Sequence, residues 1–197
     1  QVSTLDEEFS PGESIDFIKC DTQGAEYEIS KGGIKLLEES CPIVALETWS
    51  EEVYESVPLD FEIMKLYHEI GYVLFHKDPA GGYWKFNTEG KFARSQGKFT
   101  GDNLLFMPSI ELLSKLSKED LTAKLIIMSY FRFYDYGFYV LKNLEKLDLL
   151  PIIDNIYKSK ENMRSNIFRT ISWLMYDSKK VKNTLKLIGI NTTPKIT

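Results

Sequence analysis

The sequence predicts an α/β fold followed by an all-helical C-terminal region, and three observations carry that prediction. Between residues 15 and 75, short apolar runs alternate with segments of helical spacing in the order strand–helix–strand–helix–strand. That order argues for parallel strands with covering helices. After Pro108 the strand signals stop, and the charge changes sign at the same place. Residues 1–108 hold 20 acids and 9 bases, whereas residues 109–197 hold 9 acids and 15 bases, within a chain total of −5. A sign change that coincides with a pattern change marks a domain boundary. The expected division is therefore 1–108, an α/β domain, and 109–197, a helical region.

Residues 15–20 (Ile-Asp-Phe-Ile-Lys-Cys) form an apolar run that stops at Asp21, with Gly24 close behind, and read as a buried strand ending in a turn. Residues 25–39 show helical spacing interrupted by Gly32 and Gly33, and Pro42 ends the segment. Residues 43–46 are a second buried strand ending at Glu47. Phe61, Met64, Leu66, Tyr67 and Ile70 follow at helical spacing with Gly71 at the C-cap, and residues 72–75 are a third strand. Around Asn87-Thr88-Glu89-Gly90 the pattern predicts a surface hairpin, 83–86 with 91–94. Residues 103–107 are a last short strand, returning antiparallel beside the third.

Beyond Pro108, Ser109, Ser117, Ser159 and Ser178 each precede a helical pattern. The expected helices are about 110–116, 118–134, 136–148, 151–176 (broken near Lys158) and 179–188. Residues 130–139 form the densest aromatic block, which reads as a core between two helices rather than as a stacking surface for sugars or bases.

Composition excludes several classes. Hydrophobic residues make up 43% and charged residues 27% of the 197, enough to bury a core, so the chain is not a wholly disordered one. The longest nearly apolar run, 125–131, falls far short of the roughly 20 residues of a membrane-spanning helix. Residues 1–9 carry three acids and no apolar block, so no signal-peptide pattern is present, and cytoplasm is the default compartment. Cys20 and Cys41 make neither a disulfide framework nor a zinc set. An acidic total without a recognition motif argues against nucleic-acid binding.

The chemistry-bearing stretch is Asp21-Thr22-Gln23-Gly24-Ala25-Glu26. An acid at the carboxyl end of a parallel strand faces the crevice where open α/β sheets bind ligands. On spacing alone Asp21 serves equally as a site acid or as a helix cap. Glu26 falls in the first helical turn, where its charge suits the dipole. Glu47, ending the adjacent strand, is a second carboxylate for the same crevice, or an N-cap of the following turn. His68 reads as a helix-surface residue. His76 and Trp84 are weaker substrate-side candidates, packing being the commoner explanation for the tryptophan.

Residues 15–26 resemble the signature of the FkbM-type family of S-adenosylmethionine-dependent methyltransferases, hydrophobic-Lys-hydrophobic-Asp-x-Glu/Gln-Gly-x-Glu. Further blocks follow in the family's order: Ile29-Ser30-Lys31-Gly32, then Pro42 to Glu47, then Tyr67-His68-Glu69-Ile70-Gly71-Tyr72 with Tyr67 in place of the usual leucine, then 103–106. The resemblance covers about residues 1–108. It implies the C-terminal half of a Rossmann-like methyltransferase sheet, mostly parallel with its last strand antiparallel.

The resemblance also implies a function: O-methylation of a sugar, glycan or secondary-metabolite hydroxyl, with Asp21 and Glu47 catalytic and Asp21, Thr22 and Gln23 at the cofactor. Gln23 stands where many relatives have Glu, and it cannot ionise. The glycine-rich cofactor loop of such enzymes has no counterpart in these residues, because neither Gly32-Gly33 nor Gly81-Gly82 follows a strand and opens a helix. The chain is thus expected to be the C-terminal part of a longer enzyme, inactive alone. Its partners would be a missing N-terminal half or a second copy, plus a small-molecule or glycan acceptor. A divalent metal is compatible with the family but no ligand cluster requires one. The competing expectation is a non-catalytic half-sheet plus helical bundle that acts as an interaction or scaffold subunit.

Overall fold

The structure, a computed structural model, describes residues 2–10, 12–79 and 100–162. Its elements in chain order are α1 (Leu5–Glu8), β1 (Phe17–Cys20), α2 (Glu26–Lys31), α3 (Ile34–Ser40), β2 (Ile43–Trp49), α4 (Asp60–Glu69), β3 (Tyr72–Pro79) and β4 (Gly101–Pro108), then α5 (Ile110–Leu113), α6 (Lys118–Tyr130), α7 (Tyr134–Asn143), a 3₁₀ turn (Leu147–Leu149) and α8 (Leu150–Asn162). The chain divides into two compact units, 1–153 and 154–197. In the second unit the described residues are the last turns of α8.

The four strands form one mixed sheet in the order β1-β2-β4-β3. β1 pairs parallel with β2, Phe17 opposite Ile43 through Cys20 opposite Leu46. β4 inserts between β2 and β3 and runs antiparallel to both. The sheet expected to be mostly parallel therefore has one parallel pairing and two antiparallel ones. As expected, the last strand lies antiparallel beside the third; its second partner, β2, was not foreseen. Three strands run further than their apolar runs suggest: β2 to Trp49, β3 to Pro79 and β4 back to Gly101. Backbone pairing, not hydropathy, extends them.

Period-two alternation gives the sheet two buried faces. On one, Val44, Leu46, Leu104, Phe106 and Tyr72 pack with Leu37, Ile63 and Tyr67 of α3 and α4. On the other, Ile43, Leu105 and Met107 pack with Leu121, Leu125 and Met128 of α6 and Val140 and Leu141 of α7. The aromatic block supplies the second core: Phe131 lies 5.8 Å from Phe17, and Phe133 and Tyr136 lie 4.7 and 4.4 Å from Phe75. Tyr130, Phe138 and Tyr139 of the same block remain exposed.

Helix boundaries follow from caps. Ser109 and Ser117 accept from the backbone amides of Leu112 and Asp120, as their positions suggest. Gly71, φ 86°, follows α4 in the left-handed conformation expected of a helix stop. α6 ends four residues before the expected 134 because Arg132 turns left-handed at φ 68°, and Phe133 N–H bonds back to Met128 O at 2.9 Å. Glu145, φ 54°, does the same after α7, with Lys146 N–H on Leu141 O. Neither stop is a glycine, which is why both escape a reading by residue type. α8 runs through Lys158 without the expected break. Ser159 Oγ donates to Ile156 O at 2.9 Å, a bond inside a helix rather than at a cap. Among the described residues after Pro108, all regular structure is helical. The hairpin at 83–94 and the helix at 179–188 lie outside the described residues.

Two tethers fix the N-terminal segment. Lys124 of α6, fully buried, donates to Ile15 O at 2.9 Å and to Asp16 Oδ1 at 2.7 Å. Asp6 of α1 accepts from Leu36 N–H and Lys35 N–H at 2.8 and 3.2 Å, capping α3. The N-terminal arm thus packs on the α2–α3 turn and not along β1, whose outer edge pairs with no strand among the described residues. No helix among the described residues is long and apolar enough to cross a membrane.

Candidate functional site

β1 and β2 run parallel and in register, so their carboxyl ends bring Asp21 and Glu47 to one place. Lys19, Asp21 and Glu47 project toward the same side, by the alternation that sends Cys20 and Leu46 into the opposite core. Two side chains hold the acids, and a third braces one of the two. Lys19 Nζ lies 2.9 Å from Asp21 Oδ2. Gln23 Nε2 donates both to Asp21 Oδ1 at 3.0 Å and to Glu47 Oε2 at 3.1 Å. Tyr54 OH donates to Gln23 Oε1 at 3.1 Å.

The two carboxyls have diverged. A hydrogen bond from Glu47, with help from Lys19 and Gln23, holds Asp21 down at about 2. Burial, then the hydrogen bond to Asp21 and its charge, push Glu47 up to about 7. Neighbouring like charges resist ionising together, so Asp21 stays charged while Glu47 exchanges its proton near neutral pH.

The loop that carries Gln23 is built by Glu26. Its Oε1 accepts from Thr22 N–H at 2.6 Å and Thr22 Oγ1 at 2.9 Å, and its Oε2 accepts from Gly24 N–H at 2.8 Å. Glu26 is buried at 2% exposure, so its charge closes the loop instead of merely facing the helix dipole. Gln23 and Gly24 both take positive φ, 61° and 123°. A Cβ at Gly24 would sit 2.5 Å from Val57 Cγ2, so the loop after β2 closes directly on this turn. Trp49, at the end of β2, meets Tyr54 edge-on at 6.1 Å.

The other sequence candidates fall elsewhere. His76 is exposed, 2.9 Å from Asp78, on the strand at the far edge of the sheet from β1. His68 is exposed on α4. Trp84 lies outside the described residues. Tyr54 carried no sequence signal, since it sits in an irregular loop 31 residues from its partner. Lys19 could have been found: it precedes Asp21 by two residues on a strand and so shares its face. Among the described residues no three His, Cys, Asp or Glu side chains are grouped to hold a metal.

This constellation falls within the region that comparison with protein families identifies. Residues 1–74 match the methyltransferase FkbM domain. The FkbM match runs from α1 into the start of β3 and includes Lys19, Asp21, Gln23, Glu26, Glu47 and Tyr54, every member of the cluster. It ends before the 103–106 strand that the sequence resemblance had included. No curated protein and no solved structure matched the chain.

The fit of S-adenosylmethionine can be tested against the donors present. A cradle for it needs free backbone amides in a glycine-rich turn. Here the amides of Thr22 and Gly24 are taken by Glu26, and both donors of the Gln23 amide are taken by the carboxyls. Gly32 and Gly33 are closed off by Thr4 and Leu5, which a Cβ at either glycine would touch at 3.1 and 2.9 Å. The described residues at this turn do not form the cofactor's cradle.

Proposed function

We propose that this chain carries the acceptor-side acid–base pair of a methyltransferase that draws its methyl group from S-adenosylmethionine and places it on a hydroxyl of a sugar, glycan or secondary metabolite. The observation that carries the reading is the pairing of Asp21 and Glu47 through Gln23 within the FkbM match. Methylating a hydroxyl leaves a proton to be removed. A base works best with a pKa near the working pH, and Glu47, at about 7, meets that condition where Asp21, at about 2, does not. Asp21 keeps its charge and accepts the acceptor's O–H, fixing its direction; Glu47, in its ionised form, takes the acceptor's proton as the methyl is transferred and then releases it to water.

The experiment is transfer of radiolabelled methyl from S-adenosylmethionine to a panel of sugars, glycans and small hydroxyl compounds by the native protein. Asp21→Asn and Glu47→Gln should each lower turnover by roughly 10²-fold, the usual scale for general acid–base catalysis, without unfolding the protein. Unchanged turnover in both would remove the pair from the reaction. The scaffold reading rests on the outer edge of β1, unpaired among the described residues. It predicts partner binding that neither substitution disturbs.

A further inference from the structure

Gln23 bonds both acids. Its backbone sits in the left-handed region, uncommon for a residue with a Cβ, and Glu26 holds the residues on either side through the Thr22 and Gly24 amides. That turn returns its side chain across the strand ends. The amide's orientation is fixed by chemistry: Nε2 has two hydrogens and two carboxyl acceptors, and Oε1 has the Tyr54 hydroxyl. Tyr54 is in turn braced against Trp49, and its loop is seated on Gly24 by Val57. Two charged neighbours among the described residues are engaged as well. Lys19 bonds the other oxygen of Asp21, and Glu26 is turned away into its own loop. Asn103 lies opposite Glu47 in the β2–β4 register.

We propose that Gln23 is a positioning residue: anchored by Tyr54, its amide fixes Asp21 and Glu47 at the spacing at which they act as one acid–base unit. The inference deepens the acid–base reading above, yet its test needs no turnover. A mere hydrogen-bond donor and a spacer differ in sign. Donation from an amide favours the charged form of each carboxyl, so losing only that bond raises both titrations. Losing the spacing lets the acids part, so Asp21 rises while Glu47 falls.

The experiment follows both side-chain carboxyls by carbon-13 NMR across pH in the 197-residue chain, with Gln23→Ala and with Tyr54→Phe, which leaves the ring in place should the alanine variant fail to fold. The expected result is convergence of the two midpoints by about one pH unit or more, the scale that defines a coupled pair. Asp21→Asn, made in each background, separates coupling from simple hydration of Glu47. It should lower the Glu47 midpoint in the parent and lower it by less than half as much beside Tyr54→Phe. Midpoints that rise together, that do not move, or an Asp21→Asn effect of equal size in both backgrounds would overturn the proposal. Absence of methyl transfer would sink the functional reading and leave these titrations standing.

Discussion

The carboxylate of Glu26 grips Thr22 twice, at its amide and at its hydroxyl, while its second oxygen takes the amide of Gly24. Three donors on the three-residue turn from Thr22 to Gly24 converge on one buried carboxylate, and the turn presents Gln23 to the acids. Glu26→Ala leaves two loop amides without their acceptor. It should cost about 3 kcal/mol in urea unfolding, since bonds to a charged group are worth about 1.5–3 kcal/mol each and are not additive. Glu26→Gln should lose less, because its one carbonyl oxygen can still serve Thr22. Equal losses for the two variants would show that the charge is not what closes the turn.

The pair should also write itself into the pH dependence of stability. Glu47 titrates at about 7 in the fold against about 4.3 for a free glutamate, so between those values the folded state holds the extra proton. Stability therefore falls as pH rises from about 4.5 to 7. Asp21, at about 2, contributes stability that is present above pH 4 and lost as pH falls toward 2. Glu47→Gln imitates the protonated acid at every pH. Its melting temperature relative to the parent should thus be higher at pH 8 than at pH 5. A difference that does not change with pH would place the Glu47 titration back in the ordinary range.

Gly24 is the point where the Asp21 turn and the loop after β2 press together. Gly24→Ala meets two obstacles, a φ of 123° and Val57 Cγ2 at 2.5 Å, and Val57 is β-branched and stiff. Urea unfolding should show a loss of about 1–3 kcal/mol. Adding Val57→Ala removes the clash but not the backbone strain, so it should recover part of the loss and not all. Full recovery would assign the glycine to packing alone.

The parts of this site that were legible are those with a local pattern. Asp21 and Glu47 each follow an apolar run, and adjacent parallel strands place such ends in one crevice, so their shared location could be read from residues 15–21 and 43–47 alone, while the register that sets Cys20 opposite Leu46 completes it. Tyr54 could not, because no periodicity governs the irregular 50–59 loop and its contact depends on where Val57 lands. Gln23 was legible as a residue that cannot ionise but not as a bridge, since its left-handed backbone follows from Glu26 closing the loop behind it. In the fold, the serine caps of α5 and α6 carry a chemical signature, whereas the stops at Arg132 and Glu145 are set by backbone bonds that any residue can make.

The last prediction concerns the cofactor: the 197-residue chain should bind S-adenosylmethionine more weakly than a low-micromolar dissociation constant, which corresponds to about −8 kcal/mol. Affinity for such a ligand comes largely from backbone amides in a glycine-rich turn that are free to meet it. Among the described residues the one turn at the acids has its Thr22 and Gly24 amides already bonded, at 2.6 and 2.8 Å, to Glu26. Opening that turn would expose a buried carboxylate, so the ligand would have to offset a loss of the size expected for Glu26→Ala. What the site offers instead is a charged carboxylate at Asp21 and, at Glu47, a proton exchanged near neutral pH. Calorimetric titration of the chain, repeated with Asp21→Asn, is the measurement. Low-micromolar binding abolished by Asp21→Asn would mean that the acids themselves hold the cofactor. Low-micromolar binding indifferent to that change would place the cradle elsewhere in the chain.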